Sequence, residues 1–236
     1  MQKDYSSEKY YVASAAFIAL LVAVTGLART FLNGKEFYYP MAVLIIVAAC
    51  IPFFVSFEKK KPSARELVVV ACMTAIAVAS RAAFYALPTV KPMCAIVIIT
   101  AVSLGPQTGF ICGVLSMFAS NFIFGHGPWT PFQMLGMGAV GLIAGLIFYN
   151  KKYRSNRFLL AAAGGILGFA LYGLIVDLSS LFMFSTGFSL KNILAIYASG
   201  FSFNLSHGIT TAVILFVAGN AFTEKLDRIK IKYGMF

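Results

Sequence analysis

Eight stretches of this chain, roughly 10–33, 38–57, 65–87, 92–104, 107–124, 131–149, 157–184 and 189–221, are dominated by apolar residues and parted by short polar breaks. The hydrocarbon core of a bilayer takes about 20 apolar residues as one helix. Backbone amides find no water there, so each run has to satisfy its own hydrogen bonds and becomes helical. The runs are too long and continuous for the alternating strands, about ten residues each, of an outer-membrane barrel. Charged residues make up only 11% of the chain, against about 25% in a soluble domain. The fold class read from this is an all-α integral membrane protein.

Turn chemistry marks the breaks: "NGKEFYYP", "EKKKPSARE", "LPTVKP", "LGPQTG", "GHGPWTP", "NKKYRSNR" and "STGFSLKN". Proline and glycine punctuate nearly all of them. Three breaks are strongly cationic: Lys59, Lys60, Lys61 and Arg65; Lys151, Lys152, Arg154 and Arg157; and the tail with Lys225, Arg228, Lys230 and Lys232. The net charge of +11 therefore reads as membrane orientation and attraction to anionic lipid, with no nucleic acid implied. Eight alternating spans put all three clusters, and both termini, on the cytoplasmic side. The first run has no clear small-residue cleavage site and reads as a retained helix rather than a signal peptide. Run 92–104 is short, and joining it to 107–124 would set the last two cationic clusters on opposite sides. The loops 34–37, 88–91, 125–130 and 185–188 then face outward, and the loops near 88, 126 and 186 would roof an outward cavity.

Few residues inside the runs are polar. Arg81 lies in the outer half of the third run, where a charge costs about 2.5–3.5 kcal/mol to insert and needs a partner or a cavity. Asp177 is the only acid deep in an apolar run, and an Arg81–Asp177 pair is the expected match. Asn121, Gln133, Asn204 and His207 are the other polar groups, each equally suited to bonding across helices; His207 reads as too deep for an outer site. In "NFIFGHGPWTPFQM", Gly125 and Gly127 open backbone conformations closed to other residues. Pro128 and Pro131 stiffen the loop, and Trp129 is the single tryptophan. Such a loop, with His126 and Thr130, suits a lid or a cavity wall.

Alanines at 71, 75, 79 and 83 recur every four residues on the third run. This places them along one side of a helix, where another helix approaches closely. Packing inside the chain and docking of another subunit are both open on this pattern. Cys50, Cys72, Cys94 and Cys112 fit no metal-binding spacing and read as small core residues. No phosphate loop and no HExxH motif occur, and Ser206 and His207, being adjacent on a helix, point apart. Neither catalysis nor a metal or cofactor of the chain's own is expected.

Residues 64–222 resemble the substrate-binding (S) component of energy-coupling-factor vitamin transporters. The resemblance is carried by a six-helix unit, the alanine stripe on its first helix and the "NFIFGHGPWTPFQM" turn. Together with "SRAAFYALPTVKP", that turn looks most like members assigned to cobalamin uptake. The resemblance implies a six-helix substrate-binding domain 64–236, and the apolar runs before it read as a domain 1–63, an N-terminal two-helix hairpin with its basic loop, that the resemblance does not cover. It implies a vitamin site built from Arg81, Tyr85, Lys91, Asn121, Gly125, His126, Gly127, Pro128, Trp129, Thr130, Gln133 and Asp177. Cobalamin, with many amides and one phosphate diester, is compatible, with Arg81 or Lys91 near the anion. Docking would use Ala71, Ala75 and Ala79 against a transmembrane coupling subunit, with ATP hydrolysed by a pair of ATP-binding-cassette ATPases. The two extra N-terminal helices depart from the family pattern. A self-sufficient secondary transporter, with Asp177 and His207 as its proton relay, is the alternative.

Overall fold

The structure, a computed structural model, describes residues 62–87, 89–150, 152–184 and 189–235, with scattered positions between 46 and 58. The chain divides into two compact units, Met1–Lys59 and Lys60–Phe236. In the first, Ile46, Cys50, Ile51, Phe54, Val55, Phe57 and Glu58 are helical, with Ile46 and Cys50 buried. The run 10–33, the lysines 59–61 and the connection 185–188 lie outside the described residues.

In the second unit every regular element among the described residues is helical. Helix α1 is Ala64–Ala83, α2 Met93–Leu104, α3 Pro106–Phe124 and α4 Thr130–Phe148. Helix α5 comprises Arg157–Ile166, a π-helical turn Leu167–Tyr172 and Gly173–Phe184; α6 comprises Leu190–Ile214, a second π turn Leu215–Gly219 and Asn220–Tyr233. All but α2 are long and apolar enough to cross a membrane. The last run therefore continues well past residue 221, because "NAFTEKLDRIKIKY" keeps an amphipathic pattern and stops only at Gly234, left-handed at φ 60°.

Local chemistry explains the helix ends. Ser63 and Glu66 form a reciprocal capping box at the start of α1, with Ser63 N–H donating to Glu66 Oε2 at 2.7 Å. Gly105, at φ 103°, ends α2 and is followed directly by Pro106 in the first turn of α3. The charge argument for splitting these two helices thus has its structural counterpart in one residue with positive φ. Asn156 and Ser189 accept amide hydrogen bonds as N-caps of α5 and α6.

Helix α2 is the central post: all twelve of its residues are buried. Around it, α3 and α4 pack backbone against backbone. A Cβ on Gly113 would fall 2.5 Å from the Met137 carbonyl oxygen, and one on Gly145 would overlap Pro106. Gly109 and Gly141 face each other in the same way. Small residues at this spacing let membrane helices approach to backbone contact, where dispersion replaces the missing hydrophobic drive.

The basic segments gather at one end of the bundle. Arg154, in the 3-10 turn Lys152–Ser155, pairs with Asp227 of α6. Asn220 Nδ2 donates to the Ser155 carbonyl at 2.7 Å, and Lys230 Nζ donates to Tyr149 Oη at 2.8 Å. The Arg65 guanidinium lies 5.7 Å from the Tyr233 ring centroid. The cysteine reading needs one correction: Cys94 and Cys112 are buried, but Cys72 is exposed on α1. It shares the outward side of that helix with the alanines.

Candidate functional site

At the opposite end, α1, α3 and α4 enclose a polar network. Arg81 is on the inward face of α1, in register with buried Val70, Met73 and Ala77. Its Nη1 donates to Asn121 Oδ1 at 2.9 Å and to Ser120 Oγ, with Met117 Sδ at 3.6 Å. Asn121, 1% exposed, is the hub. Its Nδ2 donates to Gln133 Oε1 at 2.9 Å and Thr130 Oγ1 at 3.2 Å. Thr130 Oγ1 also accepts the Gly127 amide at 3.1 Å, which ties the loop to the network. An asparagine can serve a cationic donor and neutral acceptors at once, because its amide carries both an acceptor and two donors.

Aromatic residues pack beside the network. The Phe124 ring has the Arg81 guanidinium 4.2 Å and the Lys91 ammonium 4.8 Å from its centroid, and the Tyr85 ring 5.2 Å away. Lys91 is in the connection between α1 and α2. Burial holds its ammonium below the ordinary lysine range, and repulsion from Arg81 adds to this.

Other expected site residues are placed elsewhere. Gly125 caps α3 at φ 95°, with its amide bonded to the Asn121 carbonyl at 2.8 Å. His126 turns to the outer side of α3, edge-on to Phe122 at 4.6 Å and 5.4 Å from Phe118. The Trp129 ring covers Gly127, where a Cβ would lie 2.5 Å from it; Pro128 lies between them, partly buried.

The expected Arg81–Asp177 pair does not form. Asp177 Oδ2 accepts from Asn204 Nδ2 at 2.7 Å between α5 and α6. Gly200 and Gly173 make this contact: a Cβ on Gly200 would lie 2.6 Å from the Asp177 carboxylate, and one on Gly173 2.7 Å from the Asn204 amide. A glycine opposite each polar group draws the helices so close that the acid is satisfied by its neighbour and out of reach of α1.

His207 is 2% exposed, and adjacent Ser206 donates to the Thr89 carbonyl at 3.3 Å, which ties the connection from α1 to α6. His207 stacks on Tyr172 at 4.8 Å and 15°, and Tyr172 Oη lies 4.0 Å from Met117 Sδ, itself in contact with Arg81. Both His207 ring nitrogens are buried without a hydrogen bond. The signal that sequence reading missed is Tyr172: the π turn of α5 swings it to face α6, and such turns recur at functional sites.

The alanine stripe separates cleanly from this interior. Ala71, Ala75 and Ala79 are exposed and line a shallow apolar groove with Phe118, Ala119 and Ile123 of α3. Their packing partner is therefore not another part of the second unit.

Comparison with known proteins follows these boundaries. The family described as "ECF-type riboflavin transporter, S component" matches residues 61–224. A UPF0397 protein of Vibrio atlanticus is 29% identical over 96 residues, 36% of this chain and 52% of the relative. One from Aliivibrio fischeri is 28% identical over 138 residues, 58% of this chain and 69% of the relative. The chain thus spans about half the length of the Vibrio atlanticus relative it matches, 52%. No solved structure matches it. The match covers all six helices of the second unit up to the amphipathic end of α6, and the chain belongs to the family of energy-coupling-factor S components, the membrane transport subunits of that class of importer.

Proposed function

We propose that the chain captures a vitamin or related compound at the Arg81–Asn121 network and delivers it to an ATP-driven energy-coupling-factor importer. The observation that carries this is the buried network itself. Arg81, Asn121, Thr130 and Gln133 converge from three helices on one end of the bundle, directly under the glycine- and proline-rich loop. Polar groups this deep in a membrane protein are costly and mark solute sites. The basic end of the bundle is the cytoplasmic end by the positive-inside rule, which puts the network on the outer side. Both termini are then cytoplasmic in a bacterial cell membrane.

Two vitamins lead the list of substrates. The family's name points to riboflavin, and the "GHGPWTP" turn resembles members assigned to cobalamin. Isothermal calorimetry of the purified full chain against a vitamin panel, with mass spectrometry of whatever co-purifies, tests the reading; no binding across the panel refutes it. In the same assay Trp129→Ala should weaken binding about tenfold by uncovering Gly127, whose amide ties the loop to Thr130 of the network. Membrane insertion should be unchanged.

The exposed stripe supports docking of a transmembrane coupling subunit on Ala71, Ala75 and Ala79, with a pair of ATPases supplying ATP hydrolysis. Ala75→Trp should leave vitamin binding within about twofold of wild type while blocking uptake into cells, because the bulk stands on an outward face. Equal loss of both would refute the docking role. A proton relay through Asp177 and His207 has less support: no hydrogen bond joins them, since Asp177 is bound to Asn204 and His207 is stacked on Tyr172.

A further inference from the structure

Two cations sit at the polar end of the second unit with little solvent. Arg81 is 8% exposed and Lys91 9%. Both approach the same ring, that of Phe124. Arg81 Nη1 is bonded only to neutral acceptors on Ser120, Asn121 and Met117. Lys91 Nζ makes no hydrogen bond among the described residues. Among the described residues no carboxylate is paired with either. Asp177 is held by Asn204, and the ion pair among the described residues, Arg154–Asp227, is at the other end of the bundle.

An aromatic face attracts a cation but carries no net charge. Two cations on one ring also repel each other, and more strongly where water is scarce. The protein has thus brought two positive charges together, left each little exposed, and set no carboxylate of the described residues beside them. Buried charges are ordinarily paired, because an isolated one is strongly penalised. The missing partner is a negative charge at this spot.

We propose that the substrate carries an anionic group, a carboxylate or a phosphate, held between Arg81 and Lys91 beside Phe124. This rests on the capture reading and narrows it. Arg81, fixed by Asn121 and Ser120, is the rigid half of the clamp. Lys91, on a connection and unbonded, is the half that closes. Three rotatable donors on its ammonium suit a group that arrives from outside. The uncharged network of Asn121, Gln133 and Thr130 then reads the neutral part of the ligand.

The test uses the full chain in phosphatidylcholine nanodiscs and matched pairs of probes that differ by the anion. The pairs are riboflavin with riboflavin 5′-phosphate, nicotinamide with nicotinate, and cobinamide with cobinamide phosphate. For whichever scaffold binds, the anionic member should bind at least about tenfold more tightly, the strength of one charge-assisted contact. Lys91→Gln should reduce that preference to within about twofold, and Lys91→Arg should restore it. Lys91 is on a connection, so this variant folds even if Arg81→Gln does not. A neutral member that binds as tightly as its anionic counterpart overturns the inference and leaves the capture reading standing. Binding by no probe overturns both. Anion preference that vanishes when phosphatidylglycerol replaces part of the phosphatidylcholine assigns the two cations to a lipid headgroup, and also overturns the inference.

Discussion

Asn121→Leu is expected to abolish high-affinity capture, lowering affinity at least about 100-fold, or about 2.7 kcal/mol. The side chain is nearly isosteric, so the effect is one of hydrogen bonding. Asn121 accepts from Arg81 at 2.9 Å and donates to Gln133 and Thr130 at 2.9 and 3.2 Å. Leucine leaves a buried guanidinium short of one acceptor and Gln133 Oε1 without its donor, while Thr130 keeps only the Gly127 amide. A stranded group of this kind costs about 1–3 kcal/mol, and more when charged. Arg81 will turn toward whatever acceptor remains, and the geometry that meets the ligand goes with it. Gln133→Ala, which spares the Arg81–Asn121 bond, should cost about tenfold only. Calorimetry on protein that still elutes as a single species by size exclusion separates lost recognition from lost folding. Affinity within about twofold of wild type for Asn121→Leu would remove the network from the site.

Gly113→Leu is expected to have the largest effect on stability. Where most glycines face a flexible side chain, this one faces backbone: the Met137 carbonyl and the Gly138 amide nitrogen. A helix backbone does not step aside, so α3 and α4 must separate along their contact. Overpacking costs about 1–3 kcal/mol where neighbours can adjust, and more where they cannot. Gly125→Ala is the contrast. A Cβ there meets nothing within 4 Å, but φ is 95°, so its cost is backbone strain of about 1–3 kcal/mol without any loss of helix packing. Thermal denaturation in one detergent should rank Gly113→Leu well below Gly125→Ala. The reverse order would mean that the α3–α4 contact is not what holds the unit together.

Periodicity and length made the helices legible before any coordinates. Apolar runs in lipid leave the backbone one option, and Gly105 with Pro106 marks the break between α2 and α3 in letters. Arg81, Asn121, Thr130 and Gln133 were also legible as a set, because polar residues are rare enough in such a chain to stand out one by one. Their pairing was not. Arg81 and Asp177 have complementary charge, but charge says nothing about which faces two helices turn to each other. Gly173 and Gly200 decide that, by admitting Asn204 and Asp177 to contact. Tyr172 left no mark at all: a π turn adds a residue without changing composition, and it re-aims everything on its side of the helix. His126 and Trp129 were grouped with the network by their nearness in sequence. One loop presents its ends to opposite sides, with His126 against Phe122 and Thr130 against Asn121.

Helix α2 has twelve residues, all covered by protein. Its length is about 18 Å, and a bilayer core is about 30 Å thick. Its basic-end neighbour Lys230 already reaches the Ser103 carbonyl, so the missing length of about 12 Å falls at the other end. There the connection bearing Lys91 begins well short of the level that a full-length span would reach. On the proposed capture reading, a solute held beside Lys91 already lies more than a third of the way along the hydrophobic path before any helix moves, and ATP-driven reorientation would have only the remaining distance to cover.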